Sequence, residues 1–175
     1  MKTTLVIFLA ALSVTAQAQT PEARVAPSCG PDQVKFKVKT QKIPPQMGQP
    51  EAGKARVYFF EDNAGFGSFP KLTTRAGVDG EWVGATRGNS YFYFSVDPGE
   101  HHLCASWQNW LGPGVDVTHK TAVAHFTAEG GAIYYFKAGA VQGRGTLGIH
   151  LEPLDSDEAH FLASKFSFST VQQKQ

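Results

Sequence analysis

VDGEWVGATRGNSYFYFSVDPGEHHLCASW, residues Val78 to Trp107, holds two turn signals set among aromatic and apolar runs. Asp79-Gly80 suits the two central positions of a type I′ hairpin turn, both at positive φ, where glycine and aspartate are least strained. Asp97-Pro98-Gly99-Glu100 is a second turn, because proline presets φ at its first central position and glycine accepts positive φ at the next. Three or four antiparallel strands follow from these reversals. With Asp97 facing Glu100, alternation puts Phe92 and Phe94 on one face with Leu103, Ala105 and Trp107, and Tyr91 and Tyr93 on the other with Cys104. A one-residue slip would invert every one of these assignments.

Working outward, strands are expected at Ala55 to Phe60, Thr73 to Val78, Glu81 to Ala85, Ser90 to Val96, His101 to Trp107, His119 to Thr127, Ala132 to Lys137 and Thr146 to Leu151. Glycine or proline punctuates nearly every gap. Short strands at such spacing predict an all-β, immunoglobulin-like or transthyretin-like antiparallel β-sandwich. Only the tail reads as helix. Asp155 with Glu158 makes a capping-box-like start, and Ala159, Leu162 and Phe166 recur at helical spacing. The expected organisation is a signal peptide over 1–18, an N-terminal extension and linker over 19–53, the sandwich over 54–154, and a short C-terminal helix and tail over 155–175.

Met1 to Ala18 has the pattern of a secretory signal: Lys2, an apolar stretch from Leu5 to Val14, and Ala16-Gln17-Ala18 as a small-residue cleavage site. The apolar stretch is far short of the ~20 residues that span a bilayer, and no later segment supplies a span. An exported chain, periplasmic or secreted, is expected. Removing 18 of 175 residues takes away Lys2 and no acid, so 15 basic residues balance 15 acidic ones. That balance lacks the electrostatic footprint of a nucleic-acid binder. Lys35, Lys37 and Lys39 alternate with Val34, Phe36 and Val38, which reads as an edge strand protected by charge. Cys29 and Cys104, 75 positions apart, are the only cysteines and are expected to pair, stapling the extension to the domain. Two free thiols are the alternative.

ARVYFFEDNAGFG (Ala55 to Gly67), VDGEWVG (Val78 to Gly84) and NSYFYFSVDPGEHHL (Asn89 to Leu103) resemble, in type and order, the bacterial exported family catalogued as domain of unknown function 2846. The shared features are a Val-Tyr-aromatic strand, a DG hairpin, an aromatic strand and a Pro-Gly-x-His turn, over roughly Lys54 to Leu162. The resemblance implies an exported all-β module of the cell envelope. It brings no established activity and so no catalytic residues. Many members of that family look like lipoproteins, whereas here no cysteine directly follows the apolar stretch.

The best candidate site is the strand end and loop at Trp107, Gln108, Asn109 and Trp110, continuing to Gly114. Indole faces cover the apolar C–H surface of sugars while side-chain amides exchange hydrogen bonds with hydroxyls. The competing reading has Trp107 completing the core and Trp110 capping the sandwich. Adjacent His101 and His102 point to opposite faces of a strand. His119 and His125 could share one, joined by His101 or His102, but no zinc-ligand spacing occurs, and no metal or cofactor is expected. Gly143 to Gly148 matches G-x-G-x-x-G with a strand after it instead of a helix, so it reads as a hairpin loop. Ser90, Ser95 and Ser106 lack a nucleophile elbow. The expectation is a non-catalytic binding or structural envelope module whose partner is a glycan or a protein. The rival is a hydrolase-type or metal-dependent enzyme using histidines in a cleft that spacing does not reveal.

Overall fold

The structure, a computed structural model, describes residues 29–43, 45–63, 72–108, 116–143 and 146–174, with backbone alone at 116–119. The leader expected over 1–18, and Asn109 and Trp110, lie outside the described residues. Eleven strands and one helix occur among those described: β1 Phe36–Gln41, β2 Ala55–Glu61, β3 Thr73–Val78, β4 Glu81–Arg87, β5 Ser90–Val96, β6 Gly99–Trp107, β7 Asp116–His119, β8 Thr121–Ala128, β9 Ile133–Gln142, β10 Thr146–Pro153, α1 Ser156–Lys165 and β11 Ser167–Gln173. They form a seven-stranded sheet in the order β1-β11-β5-β2-β9-β10-β7 and a four-stranded sheet in the order β4-β3-β6-β8.

The smaller sheet is antiparallel, but the larger is mixed, with β2 parallel to β9, β11 to β5 and β10 to β7. The purely antiparallel expectation is thereby corrected. Parallel pairs join strands made far apart in the chain, which no local turn signal announces. The expected C-terminal tail is also corrected: residues 167–173 form β11, which pairs with β1 from Phe36↔Gln173 to Gln41↔Phe168. β1 is the outer strand of the large sheet, and Lys37 and Lys39 on it are exposed, which suits an edge protected by charge.

Asp79-Gly80 closes the β3–β4 hairpin as its residue types demand, with φ of 51° and 88° and Val78 opposite Glu81. The Asp97–Glu100 turn does something else. It carries the chain from one sheet to the other, because β5 pairs with β2 and β11 while β6 pairs with β3 and β8. The expected β5–β6 hairpin is therefore absent among the described residues. A Pro-Gly corner lacks the primed geometry that keeps two strands in one ladder. The side-chain assignment nonetheless holds for the core, since both strands face it from opposite sides. Phe92, Leu103, Ala105 and Trp107 join Val57 and Phe59 between the sheets, with Phe94 packed against them. Tyr91 and Cys104 end on opposite outer faces.

Helix α1 covers the outer face of the large sheet, setting Ala159, Leu162 and Ala163 on Tyr58, Phe60 and Tyr91. Its N-cap is Asp155, whose Oδ1 accepts from the N–H groups of Asp157 and Glu158 at 2.9 Å each. The extension straps the outer face of the small sheet. Cys29 is bonded to Cys104, the Trp82 indole N–H donates to the Pro31 carbonyl at 2.9 Å, and Arg75 donates to the Val34 carbonyl at 2.8 Å. A side chain at Gly77 would overlap the Cys29 carbonyl, so glycine there permits the close approach.

Candidate functional site

Trp107 ends β6 facing the core and is 8% exposed. Gln108 clamps the start of β1, accepting the Phe36 N–H through Oε1 at 2.6 Å and donating from Nε2 to the Phe36 carbonyl at 2.9 Å. Both side chains thus have structural partners. Ligand contact at this loop would rest on Asn109 and Trp110.

The histidines divide into different tasks. His101 bridges the two turns of the founding stretch: Nδ1 lies 2.6 Å from Asp79 Oδ2 and Nε2 lies 2.7 Å from the Asp97 carbonyl oxygen. Each ring nitrogen faces an acceptor, so both carry a proton and the ring is an imidazolium. Burial opposes that charge, but the bonds to Asp79 and Asp97 outweigh it and raise the His101 pKa above its ordinary value. Asp79 is pushed up by burial and pulled down further by the His102 N–H and His101, so it remains a carboxylate. This pair is a clamp with both ring nitrogens occupied, unlike a catalytic base, which needs one free. His102 sits on the outer face of the small sheet opposite His125, and their ring centres are 5.6 Å apart. His160 lies 6.3 Å from Tyr135 on the other side of the protein. The side chain of His119 lies outside the described residues. No group of three or more histidine, cysteine, aspartate or glutamate side chains is placed to hold a metal among those described.

One charged residue went unread in the sequence. Glu61 ends β2 on the Val57 and Phe59 face and is 1% exposed. Burial pushes its carboxyl up to about 8, against partial opposition from the nearby Thr86 and Thr74 hydroxyls and the Asn63 amide. Asn63 Nδ2 donates to Oε1 at 2.7 Å, whereas Oε2 has no well-formed hydrogen bond. Asn63 is itself held, its Oδ1 accepting from the Ala140 N–H at 3.0 Å. Beside Glu61 across the ladder, Ser90 is fully buried and bonded to Ser169, so its hydroxyl is structural.

Among the described residues, an aromatic cleft opens between β8 and the start of β9. It has a volume of about 390 Å³ and is lined by Phe126, Tyr134, Tyr135 and Phe136, with Ser156 bringing a polar group. It exists because β10 ends at Pro153, opposite Phe136, and the chain turns into α1, leaving the first residues of β9 without that neighbour. β8 is the outer strand of its own sheet. A volume in this range with aromatic walls and few polar groups is typical of small-ligand sites.

A family profile described as "Protein of unknown function (DUF2846)" matches residues 51–149. The chain belongs to this family. No curated protein and no solved structure matches. The matched stretch runs from just before β2 into β10, and so contains Glu61, the His101 clamp, the histidine pair and most of the cleft wall. β1, α1, β11 and Cys29 lie outside it. The Pro-Gly-x-His turn that marks the resemblance has a structural role here: its histidine ties the sheet-crossing corner to the Asp-Gly hairpin.

Proposed function

We propose that this DUF2846 protein is a non-catalytic, exported module of the cell envelope, periplasmic or secreted, that binds an envelope glycan in the β8–β9 cleft. In this reading the two-sheet scaffold serves as immunoglobulin-like and transthyretin-like sandwiches do, presenting recognition at edges and ends. The observation that carries it is the aromatic lining of Phe126, Tyr134 and Tyr135, with Ser156 beside it. Aromatic faces take the apolar side of a sugar ring, and the Ser156 hydroxyl with the backbone at the cleft rim supplies hydrogen bonds to its hydroxyls. The Cys29–Cys104 disulfide supports export, since such bonds persist in oxidising compartments.

The test is titration of the untagged protein with soluble peptidoglycan fragments, followed by NMR shifts at the cleft residues. Phe126→Leu and Ser156→Ala are expected to weaken binding at least about tenfold, the loss usual for a residue central to a site. Unchanged binding in both variants would remove the cleft from the proposal. Loss on Trp110→Ala alone would place recognition at the Trp107–Gly114 loop.

A further inference from the structure

The outer face of the small sheet is covered unevenly. Its β3 and β4 half lies under the extension, held by Trp82 and Arg75, whereas on its β6 and β8 half Val123, His102 and His125 are exposed. His102 and His125 are directly opposed across the β6–β8 ladder, with ring centres 5.6 Å apart. We propose that these two imidazoles form a binding site for a late first-row divalent metal ion, Cu(II) in preference to Zn(II).

The geometry fits. Two imidazoles on one metal have N–metal distances of about 2.0–2.1 Å, and each ring centre lies about 1.1 Å beyond its nitrogen, so cis ligands of tetragonal copper or tetrahedral zinc have centres about 4.5–5.2 Å apart. The observed 5.6 Å lies just beyond that range, and both side chains are exposed and so free to rotate toward it. The backbone is already fixed on both sides. The His102 N–H donates to Asp79 Oδ1 at 2.9 Å, and the next outward residue on β6, Cys104, is tied by the disulfide. A pair of ligands on hydrogen-bonded strands is preorganised, which a pair on loops is not. Neither ring makes a hydrogen bond among the described residues, so ligand nitrogens are available without breaking an internal contact. Glu100, two residues before His102 on the same face, adds negative charge that favours a cation.

The donor set indicates the metal. Two imidazoles without thiolates suit copper, zinc and nickel, and the order of divalent affinities puts Cu(II) first. No third histidine, cysteine or carboxylate joins them among the described residues, so water fills the remaining positions. The site is open and exchangeable, suited to carrying or sensing a metal. It is distinct from the glycan reading, since the paired rings stand on the outward face of β8 and the cleft opens on its inward face.

The experiment is Cu(II) titration of the untagged chain, read by calorimetry and electron paramagnetic resonance, beside His102→Ala, His125→Ala and the double variant. Both rings are exposed, so unchanged thermal unfolding is expected to show all three folded. The wild type is expected to hold one copper with coupling to two imidazole nitrogens. Each single variant is expected to weaken that population at least about tenfold, as loss of one of two protein ligands requires, and the double variant to abolish it. Weaker Zn(II) competition for the same population supports the donor assignment. Copper bound equally by wild type and double variant, or absence of a two-imidazole signal, would overturn the proposal.

Discussion

Replacing Glu61 by glutamine should change how stability depends on pH more than it changes stability itself. In the folded protein the carboxyl titrates at about 8, because burial disfavours its charge by more than the Thr86, Thr74 and Asn63 side chains favour it. In the unfolded chain it titrates near 4.5. Between these values the folded state holds a proton that the unfolded state has released. Stability from the neutral carboxyl is therefore fully present below the unfolded value and lost as pH rises through the folded one. The slope is about −1.4 kcal/mol per pH unit, or about 3 kcal/mol lost between pH 5 and 7.5. For a domain with about 5–15 kcal/mol in total, that is readily measured. Glutamine keeps the shape and accepts from Asn63 but does not titrate. Urea unfolding of both proteins from pH 5 to 7.5 should show the difference growing in favour of Glu61→Gln by about 1.4 kcal/mol per unit. Contributions from His101 and Asp79 are common to both proteins and cancel in the difference, since neither is among the groups that shift Glu61. Parallel stability curves, or a Glu61 carboxyl resonance titrating near its unperturbed value, would refute the reasoning.

Three further outcomes are expected. Cys29→Ser with Cys104→Ser should lower stability by up to about 4.5 kcal/mol on the chain-entropy account of a loop this long, and limited proteolysis should then cut the extension first. His101→Ala should cost about 1–2 kcal/mol near pH 6, a value kept low by the partial exposure of Asp79, as denaturant midpoints will show. The clamp's raised histidine and lowered aspartate give opposite limits. Its contribution should fade as pH rises through the folded His101 value and as pH falls through the folded Asp79 value. Gln108→Ala should leave β6 in place but loosen β1, seen as faster amide exchange at Phe36 than at Cys104.

What was legible in the residues was local. Asp79-Gly80 announces its hairpin because positive φ at consecutive positions admits few residue types, and Asp155 announces α1 because a carboxylate satisfies the first free N–H groups. The sheet to which a strand belongs is different information. Asp97-Pro98-Gly99 shows that the chain reverses, but not whether it returns in the same ladder or crosses the core, and here it crosses. The β1–β11 pairing joins Lys39 to Thr170, and nothing in either segment identifies the other. Glu61 was readable from alternation, which puts it on the face of Val57 and Phe59, but its charge read as a strand end. The His102–His125 pairing depends on the β6–β8 register, which one slipped residue would destroy. The cleft is less legible still, since it exists where β10 leaves β9 before β9 begins.

The distribution of cover over the sandwich narrows where function can reside. Buried aromatic surface on the large sheet is closed by α1 and by the segment around Met47, and the β3–β4 half of the small sheet is closed by the strap from Cys29 to Val34. These covers come largely from outside the stretch that matches the family, residues 51–149. Within that stretch, β8 remains at a sheet edge, with an aromatic cleft on its inward side and an opposed histidine pair on its outward side. β8 alternates inward apolar with outward polar residues, and the outward set of Thr121, His125 and Thr127 is interrupted by Val123 at 74% exposure, next to the disulfide that holds the face rigid. The glycan and copper proposals thus fall on opposite sides of one edge strand, so variants at Phe126 and at His102 test them independently.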